Sequence, residues 1–266
     1  TALGVEAILR EGGAIPASVG LVDGDIVCGL SPAELDRLAH DEHVVKAQER
    51  DLGRAVRNRL TGATTVGATL LVATHCGIEV HVTGGIGGVA PEVGMNLDIS
   101  ADLPAIARSP VITIAAGTKA FMDTAATLEA METLGVPVAV WQSNEFPWFY
   151  STSSGLKVEW QVNSADEIAE IFRADRALRP GAGMFLGVPL LAPDALPAEQ
   201  TRAAIDTALK RMREQGITGK AATPFLLSTI FEETAGESLR ANVALIKNNA
   251  RVGAQVAVAV AKTRMQ

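Results

Sequence analysis

The fold is indicated first by IEVHVTGGIGG at residues 78–88, where a run of β-branched residues leads directly into a glycine-rich turn. A second apolar run, VITIAAGTK at residues 111–119, ends in a similar way. Two more strand-like runs lie at residues 136–141 and 183–190, and helical periodicity precedes each of them. Because helices alternate with apolar strands, the sequence predicts one parallel sheet with right-handed crossover helices.

The N-terminal part predicts a smaller unit beside that sheet. Residues 1–12 have helical spacing, and two short strands at residues 17–22 and 25–30 flank an Asp-Gly turn typical of a β-hairpin. Ser31 and Glu34 are spaced as a capping box, which predicts the start of a helix. We find no repeat and no low-complexity linker, and therefore expect a single α/β domain over residues 1–266.

Composition argues against several classes of function. The formal net charge is -7, whereas nucleic-acid binding needs surplus Lys and Arg, so we expect no nucleic-acid partner. No apolar run reaches the length of a membrane span, of about 18 residues, and no charged stretch followed by an apolar run opens the sequence, so we expect neither a membrane span nor a signal peptide. We therefore expect a cytoplasmic protein with no membrane partner. Cys28 and Cys76 lack paired-cysteine spacing, which predicts two buried free thiols.

Two strand ends carry residues suited to chemistry. In parallel α/β sheets, ligands bind beyond the carboxyl ends of the strands. The glycines at 84–88 allow backbone to approach a ligand closely, although a flexible strand-to-loop junction would also use them. Lys119 follows the second strand near the predicted start of a helix, where the helix dipole and burial both favour a neutral, nucleophilic amine. The alternative is a solvated lysine.

Two carboxylates lie between these strand ends. Asp98 and Asp102 are four residues apart and could share one face of a helical turn. Carboxylate oxygens, together with water and substrate oxygens, suit a hard cation such as Mg²⁺ or Mn²⁺. The alternative is that Asp98 or Ser100 only caps the helix that follows. The four histidines show no zinc-ligand spacing, and packing is their simpler interpretation.

Eight short motifs together resemble one family, the pseudouridine-5′-phosphate glycosidases, which are also called the indigoidine synthase A-like proteins. The motifs are GGAIPA (12–17), GATTV (62–66), TGGIGGV (83–89), DISADL (98–103), AGTK (116–119), TPFLL (223–227), GESL (236–239) and NNA (248–250). They occur in order over essentially the whole chain. The resemblance implies a three-layer α/β/α single domain with a mainly parallel sheet and a small β-hairpin.

The resemblance also implies an activity and a site. The family reversibly cleaves the C–C glycosidic bond of pseudouridine 5′-phosphate, giving uracil and ribose 5-phosphate, with a divalent cation that is usually Mn²⁺. Its members form homotrimers, and the partner expected here is a small phosphorylated nucleoside or sugar. By resemblance Lys119 is the Schiff-base nucleophile and Asp98 is the metal ligand. The substrate-binding residues implied are Lys46, Val66, Ser100, Ala101, Asp102 and Asn249.

Two departures from the family pattern leave alternatives open. The family carries a proton-donating glutamate in an N-terminal strand about a dozen residues before the first motif, and no residue here matches it, so we expect this chain to lack that strand. Ala90-Pro91-Glu92 stands where the family usually has His-Arg-Gly. The alternatives are an inactive family member that binds a sugar phosphate, and an enzyme acting on a different C-nucleotide or sugar phosphate.

Overall fold

The computed structural model describes residues 1–91, 94 and 97–263, and its N-terminal part contains a four-stranded mixed sheet. Its strands are β1 (Val19–Val22), β2 (Asp25–Cys28), β3 (Val45–Ala47) and β4 (Gly62–Thr64), in the order β2-β1-β4-β3. β1 pairs antiparallel with β2 and β4, and β3 pairs parallel with β4. Asp23 and Gly24 have φ angles of 51° and 89°, as a tight hairpin turn requires. The predicted hairpin is confirmed, whereas β3 and β4 were not predicted.

The second sheet contains five strands, all parallel. They are β5 (Val80–Val82), β6 (Ile112–Ala115), β7 (Val138–Trp141), β8 (Trp160–Val162) and β9 (Met184–Gly187), in the order β5-β6-β9-β7-β8. Every residue of the neighbouring strands β6 and β9 is buried, which explains why their sequences are continuously apolar. The predicted parallel sheet is confirmed, and the short edge strand β8 is an addition to it.

Helices cover both faces of this parallel sheet. In the described ranges the α-helices are α1 (Ala2–Glu11), α2 (Pro32–His40), α3 (Leu52–Arg57), α4 (Val66–His75), α5 (Asp102–Arg108), α6 (Thr124–Thr133), α7 (Ala165–Leu178), α8 (Ala198–Glu214), α9 (Ala222–Glu233) and α10 (Glu237–Thr263). One core cluster joins α4, α5 and α6 to the sheet, and a second joins α7 and α10 to its other face. The three-layer α/β/α architecture is therefore confirmed.

Local sequence signals explain where several helices begin. The Ser31 hydroxyl accepts a hydrogen bond from the backbone N–H of Glu34, and the Glu34 carboxylate accepts one from the Ser31 N–H, so the predicted capping box is present. The last helix begins at Glu237, within the GESL motif. Within the ranges given above, no helix is long and apolar enough to cross a membrane.

An ion-pair network ties the first parallel strand to two helices. Glu79, just before β5, is buried, and its carboxylate accepts two hydrogen bonds from Arg173 and one from Arg176, both on α7. Arg173 also donates to the hydroxyl of Thr263 and the carbonyl of Val260 at the end of α10. The network lies at the amino end of β5 and therefore far from the strand ends considered below.

Candidate active site

The two predicted strand-end motifs lie side by side. The glycine-rich segment that follows β5 runs parallel to the segment that follows β6, and Ile86 forms a bridge with Thr118. The backbone N–H of Ile86 donates to the carbonyl of Gly117 at 3.2 Å, and the N–H of Lys119 donates to the carbonyl of Ile86 at 2.9 Å. The two segments extend their strands beyond the carboxyl edge of the sheet, where α/β proteins bind ligands.

The glycine-rich segment is packed against protein on several sides. A Cβ atom at Gly85 would lie 2.4 Å from the ring of Phe149, and one at Gly87 would lie 2.2 Å from the hydroxyl oxygen of Ser100. One at Gly88 would lie 2.5 Å from a hydroxyl oxygen on α6. These glycines do not adopt positive φ angles, so close packing is what requires them. Close packing therefore accounts for these glycines, and contact of this segment with a ligand stays a prediction.

Lys119 is half-buried beside this segment. Burial lowers the pKa of its amine, the negative charge of Asp102 opposes that change, and the positive charge of Lys46 reinforces it. The prediction that Lys119 lies near the start of a helix is wrong, because α6 begins at Thr124 with Asp123 as its N-cap. Since the dipole effect falls off within the first turn, burial rather than a helix terminus favours the neutral amine.

Lys46 reaches the site from the other sheet. It is exposed on β3 and is paired in register with Ala63 on β4. α4 begins two residues after β4 ends, so Val66 and Gly67 in its first turn lie at the same junction. The candidate site is therefore formed where the four-stranded sheet meets the carboxyl edge of the parallel sheet. Apart from the motif resemblance, no feature of the sequence predicts that the two sheets meet here.

Asp102 joins two of the segments that surround Lys119. Its carboxylate is buried, and its oxygens accept hydrogen bonds from the backbone N–H groups of Gly67 at 3.0 Å and Gly87 at 2.9 Å. The first of these donors belongs to the N-terminal turn of α4, where a carboxylate is favoured by the helix dipole. The backbone N–H of Asp102 donates to the hydroxyl of Ser100 at 3.2 Å. Asp102 therefore holds α4 against the glycine-rich segment.

Asp98 differs from Asp102 in its surroundings. It is exposed and precedes α5, which begins at Asp102, so the prediction that both carboxylates share a helical turn is wrong. The carbonyl of Asp98 accepts from the N–H of Ala90 at 2.9 Å. Ser100 is half-buried and Ala101 is exposed between the two carboxylates. The loop therefore presents one carboxylate to solvent and keeps the other inside the protein.

The residues near Asp98 fit only one kind of metal site. Among the residues that the structure describes, no group of three or more His, Cys, Asp or Glu side chains could hold a metal ion. That donor set does not fit zinc, which needs three or four protein ligands. It fits Mg²⁺ or Mn²⁺, because such an ion commonly keeps several waters and takes one or two carboxylates together with substrate oxygens. The role of Asp98 as a metal ligand stays a prediction.

Two other predicted substrate-binding residues are buried. Val66 is the first residue of α4 and lies in the apolar core on that side of the sheet. Asn249 on α10 is fully buried, and its side-chain N–H donates to the carbonyls of Thr83 at 2.8 Å and Gly84 at 3.4 Å. Asn249 therefore holds the start of the glycine-rich segment from the opposite face of the sheet. Contact of Val66 and Asn249 with a substrate stays a prediction.

An aromatic segment buttresses the Lys119 loop, and sequence analysis did not assign it to the site. The indole N–H of Trp148 donates to the carbonyl of Ala120 at 3.3 Å, and the N–H of Phe149 donates to the carbonyl of Ala116 at 2.9 Å. Gly117 has a φ of 87°, and a Cβ there would lie 2.3 Å from the carbonyl oxygen of Pro147. The sequence signal that could have indicated this segment is the cluster of aromatic residues around Pro147.

A half-buried histidine with a buried ring nitrogen lies on β5, the strand that leads into the glycine-rich segment. His81 on β5 is in register with Thr113 on β6, and both Nδ1 of His81 and the Thr113 hydroxyl oxygen are buried without a hydrogen-bond partner in the described part of the chain. Burial lowers the pKa of His81 to about 4, although the negative charge of Asp102 opposes the change. The imidazole is therefore neutral at pH 7.

The segment that departs from the family pattern is only partly described. Ala90 is half-buried and Pro91 is exposed. Glu92, the third residue of the departure, lies outside the described residues. No positively charged side chain occupies the first two positions of this segment, and Lys46 is a cation within electrostatic reach of Lys119.

Comparison with known proteins identifies close relatives. A family model described as indigoidine synthase A like protein matches residues 1–259. The pseudouridine-5′-phosphate glycosidase of Arabidopsis thaliana is 44% identical over 263 residues, which cover 98% of this chain and 80% of that protein. The enzyme of the same name from Chloroflexus aurantiacus is 46% identical and covers 97% of this chain and 86% of its own length.

Two solved structures share the fold. The prealnumycin C-glycosynthase AlnA in complex with ribulose 5-phosphate is 30% identical, with a TM-score of 0.94, and the match covers 100% of this chain and 87% of that one. An indigoidine synthase A-like protein from Thermotoga maritima is 32% identical, with a TM-score of 0.89, over 97% of this chain and 85% of that one.

Proposed function

The chain belongs to the indigoidine synthase A-like family, and on that basis we propose that it is an enzyme that reversibly cleaves the C–C glycosidic bond of pseudouridine 5′-phosphate. The products are uracil and ribose 5-phosphate. Relatives of 44% and 46% identity over nearly the whole chain support the reaction. The observation that carries the proposal is that burial favours the neutral amine of Lys119 at the carboxyl edge of the parallel sheet.

The chemistry of the bond explains the need for an amine. A C–C glycosidic bond has no leaving heteroatom to protonate, so the usual two-carboxylate hydrolysis is poorly suited to it. In the proposed reaction Nζ of Lys119 attacks C1′ of the sugar, and the ring oxygen O4′ leaves C1′ and takes a proton. The nitrogen lone pair then forms an imine with C1′, while the electron pair of the C1′–C5 bond goes to C5 of uracil, which is protonated by a general acid. Water hydrolyses the imine and releases ribose 5-phosphate.

The other site residues support this step by holding groups in place. Lys46 is exposed on β3 within electrostatic reach of Lys119, and we assign it to the substrate phosphate. Its positive charge also disfavours protonation of Lys119. Asp102 fixes α4 and the glycine-rich segment, and Ser100 and Ala101 beside it present a loop to the substrate. We assign Val66 and Asn249 to the walls of the same site.

A divalent cation belongs to the same proposal. Asp98 would hold Mn²⁺ through its exposed carboxylate, and the bound ion would supply charge stabilisation to the departing pyrimidine. The family resemblance also supports one domain over residues 1–266, a homotrimer and a cytoplasmic location. Light scattering of the purified chain measures the oligomeric state, and a monomer would contradict the trimer.

The experiment that tests the activity uses the nucleophile and a matched control. Incubation with pseudouridine 5′-phosphate and Mn²⁺ is expected to release uracil, measured by liquid chromatography. Lys119→Ala is expected to lower kcat by roughly 10³-fold or more, because the covalent step is lost. Lys210→Ala, which removes an exposed lysine on α8, should leave the rate unchanged. Unchanged turnover by Lys119→Ala would reject the lysine mechanism.

Trapping of the covalent intermediate provides an independent measurement. Borohydride reduces an imine between Lys119 and ribose 5-phosphate to a stable adduct, which peptide mass spectrometry locates. We expect the adduct on Lys119 in the wild-type chain and on no peptide of the Lys119→Ala variant. An adduct spread over exposed lysines in both proteins would indicate nonspecific glycation and would contradict the mechanism.

A second function is favoured by two specific observations. AlnA, a C-glycosynthase in complex with a five-carbon sugar phosphate, shares the fold with a TM-score of 0.94. Ala90 and Pro91 stand where the family usually carries a histidine and an arginine. The alternative is cleavage or formation of a different C-nucleotide or sugar phosphate at the same lysine. A panel of phosphorylated C-nucleosides separates the two, because turnover of another member with none of pseudouridine 5′-phosphate would support the alternative.

A further inference from the structure

The two cysteines of the chain, which are far apart in sequence, lie together in space. Cys28 is the last residue of β2, and Cys76 is the C-cap of α4, which packs against β2. The two thiols interact electrostatically, and both are free. The prediction of two buried thiols is wrong in one respect, because Cys28 is half-buried but Cys76 is exposed. One thiol is therefore accessible to a reagent in solution, and the second, which interacts with it, is half-buried.

We propose that Cys28 and Cys76 are a redox modification site that forms a reversible intramolecular disulfide with a low-molecular-weight disulfide such as oxidised glutathione. The exposed Cys76 thiolate attacks one sulfur of the oxidant, so a mixed disulfide forms and one reduced glutathione leaves. The Cys28 thiolate then attacks Sγ of Cys76, and the second glutathione leaves. In sum, two protein thiols are oxidised to one disulfide, one glutathione disulfide is reduced to two thiols, and the two protons end on glutathione.

The surroundings of Cys28 set the speed of the second step. Burial raises the pKa of Cys28 to about 11, and the interaction with Cys76 adds to the increase. Only the thiolate attacks a disulfide, so ring closure is slow at neutral pH. Its rate is expected to rise about tenfold per pH unit while Cys28 remains mostly protonated. Such a pair is protected against brief exposure to an oxidant and responds to sustained exposure.

The location of the pair gives the disulfide a structural consequence. β2 belongs to the sheet that carries Lys46, and α4 carries Gly67, the donor to the Asp102 carboxylate, at its other end. A covalent bond between Cys28 and Cys76 links that sheet to that helix and restricts the unfolded chain. The oxidised protein is therefore expected to unfold at a higher temperature than the reduced protein.

The test uses the full chain in glutathione redox buffers and does not depend on the proposed catalytic activity. After equilibration with oxidised glutathione, we expect both thiols to be lost from a free-thiol titration and the intact mass to fall by two hydrogens. Dithiothreitol should restore both thiols. A peptide map should show Cys28 joined to Cys76 in a monomeric chain on a denaturing gel.

Two single-cysteine variants give the matched controls. Cys28→Ser leaves the exposed thiol without its partner, and a stable glutathione adduct on Cys76 is expected. Cys76→Ser removes the accessible thiol, and Cys28 is expected to react at least tenfold more slowly than Cys76 does. The proposal is overturned if the wild-type chain also accumulates the glutathione adduct at equilibrium, keeps both thiols, or forms only disulfides between chains.

Discussion

Replacing His81 is expected to change how stability depends on pH. In the folded protein burial lowers the pKa of His81 from its ordinary value of 6.5 to about 4, with Asp102 opposing the shift. Between these two values the unfolded chain binds a proton that the folded chain does not bind, so unfolding is favoured as the pH falls. A difference of this size corresponds to about 3 kcal/mol, because one pKa unit equals about 1.4 kcal/mol.

The sign and the range follow from the same linkage. Above pH 6.5 the imidazole is neutral in both states, and His81 imposes no protonation penalty on folding. The penalty then grows by about 1.4 kcal/mol per pH unit as the pH falls, and it is complete below pH 4. His81→Phe removes this group. As the pH falls over this range, the free energy of unfolding of the variant relative to that of the wild type is therefore expected to increase by about 3 kcal/mol.

Urea unfolding at several pH values between 6.5 and 4 measures this difference. The absolute stability of His81→Phe is not the test, since a new ring in the core changes packing at every pH. His75→Gln, at the exposed end of α4, is the control and should keep the wild-type slope. If the difference in free energy of unfolding between wild type and His81→Phe stays constant within about 0.5 kcal/mol over the whole pH range, the reasoning is refuted.

Two further substitutions test the groups that hold the site and the sheet. Asp102→Asn is expected to lower the free energy of unfolding by roughly 1–3 kcal/mol, because one backbone N–H loses its acceptor. It should also lower the pKa of Lys119 and so move the acidic limb of the pH–rate profile to lower pH. An unmoved limb, or the same shift in the exposed control Asp206→Asn, would contradict this prediction. Glu79→Gln is expected to lower the free energy of unfolding, measured in urea, by about 3 kcal/mol, because two guanidinium groups of α7 lose their charge partner. A decrease no larger than that of the exposed control Glu214→Gln would contradict this prediction.

The sequence predicted the elements with strong local signals. The apolar run around β6 is fully buried in the structure, and the Asp-Gly hairpin turn follows from residues that tolerate positive φ angles. The capping box at Ser31 is equally local. By contrast β3, β4 and β8 are three residues long and lack the longer β-branched run that surrounds the equally short β5, so no period of two is recognised there. The placement of β9 between β6 and β7 depends on contacts far apart in sequence, which periodicity does not encode.

The candidate site was predicted in its residue types but not in its physical causes. Lys119 was expected to owe its low pKa partly to a helix terminus, whereas the structure attributes it first to burial. On either side of Lys119, Ala116 and Ala120 form one apolar cluster with the aromatic segment around Phe149 and with helices near the end of the chain. Such a cluster depends on tertiary packing, and no spacing within the AGTK motif reports it.

The electrostatics of the site require an explanation for Asp102, because its charge works against a neutral Lys119. A carboxylate near an amine raises the pKa of that amine, and Asp102 does so here. Its oxygens, however, accept hydrogen bonds from the backbone of α4 and of the glycine-rich segment, and an apolar residue would leave both N–H groups buried and unpaired. Burial and Lys46 must therefore outweigh a charge that is retained for positioning. It follows that loosening the apolar packing around Lys119 should impair the reaction even when every polar residue is intact.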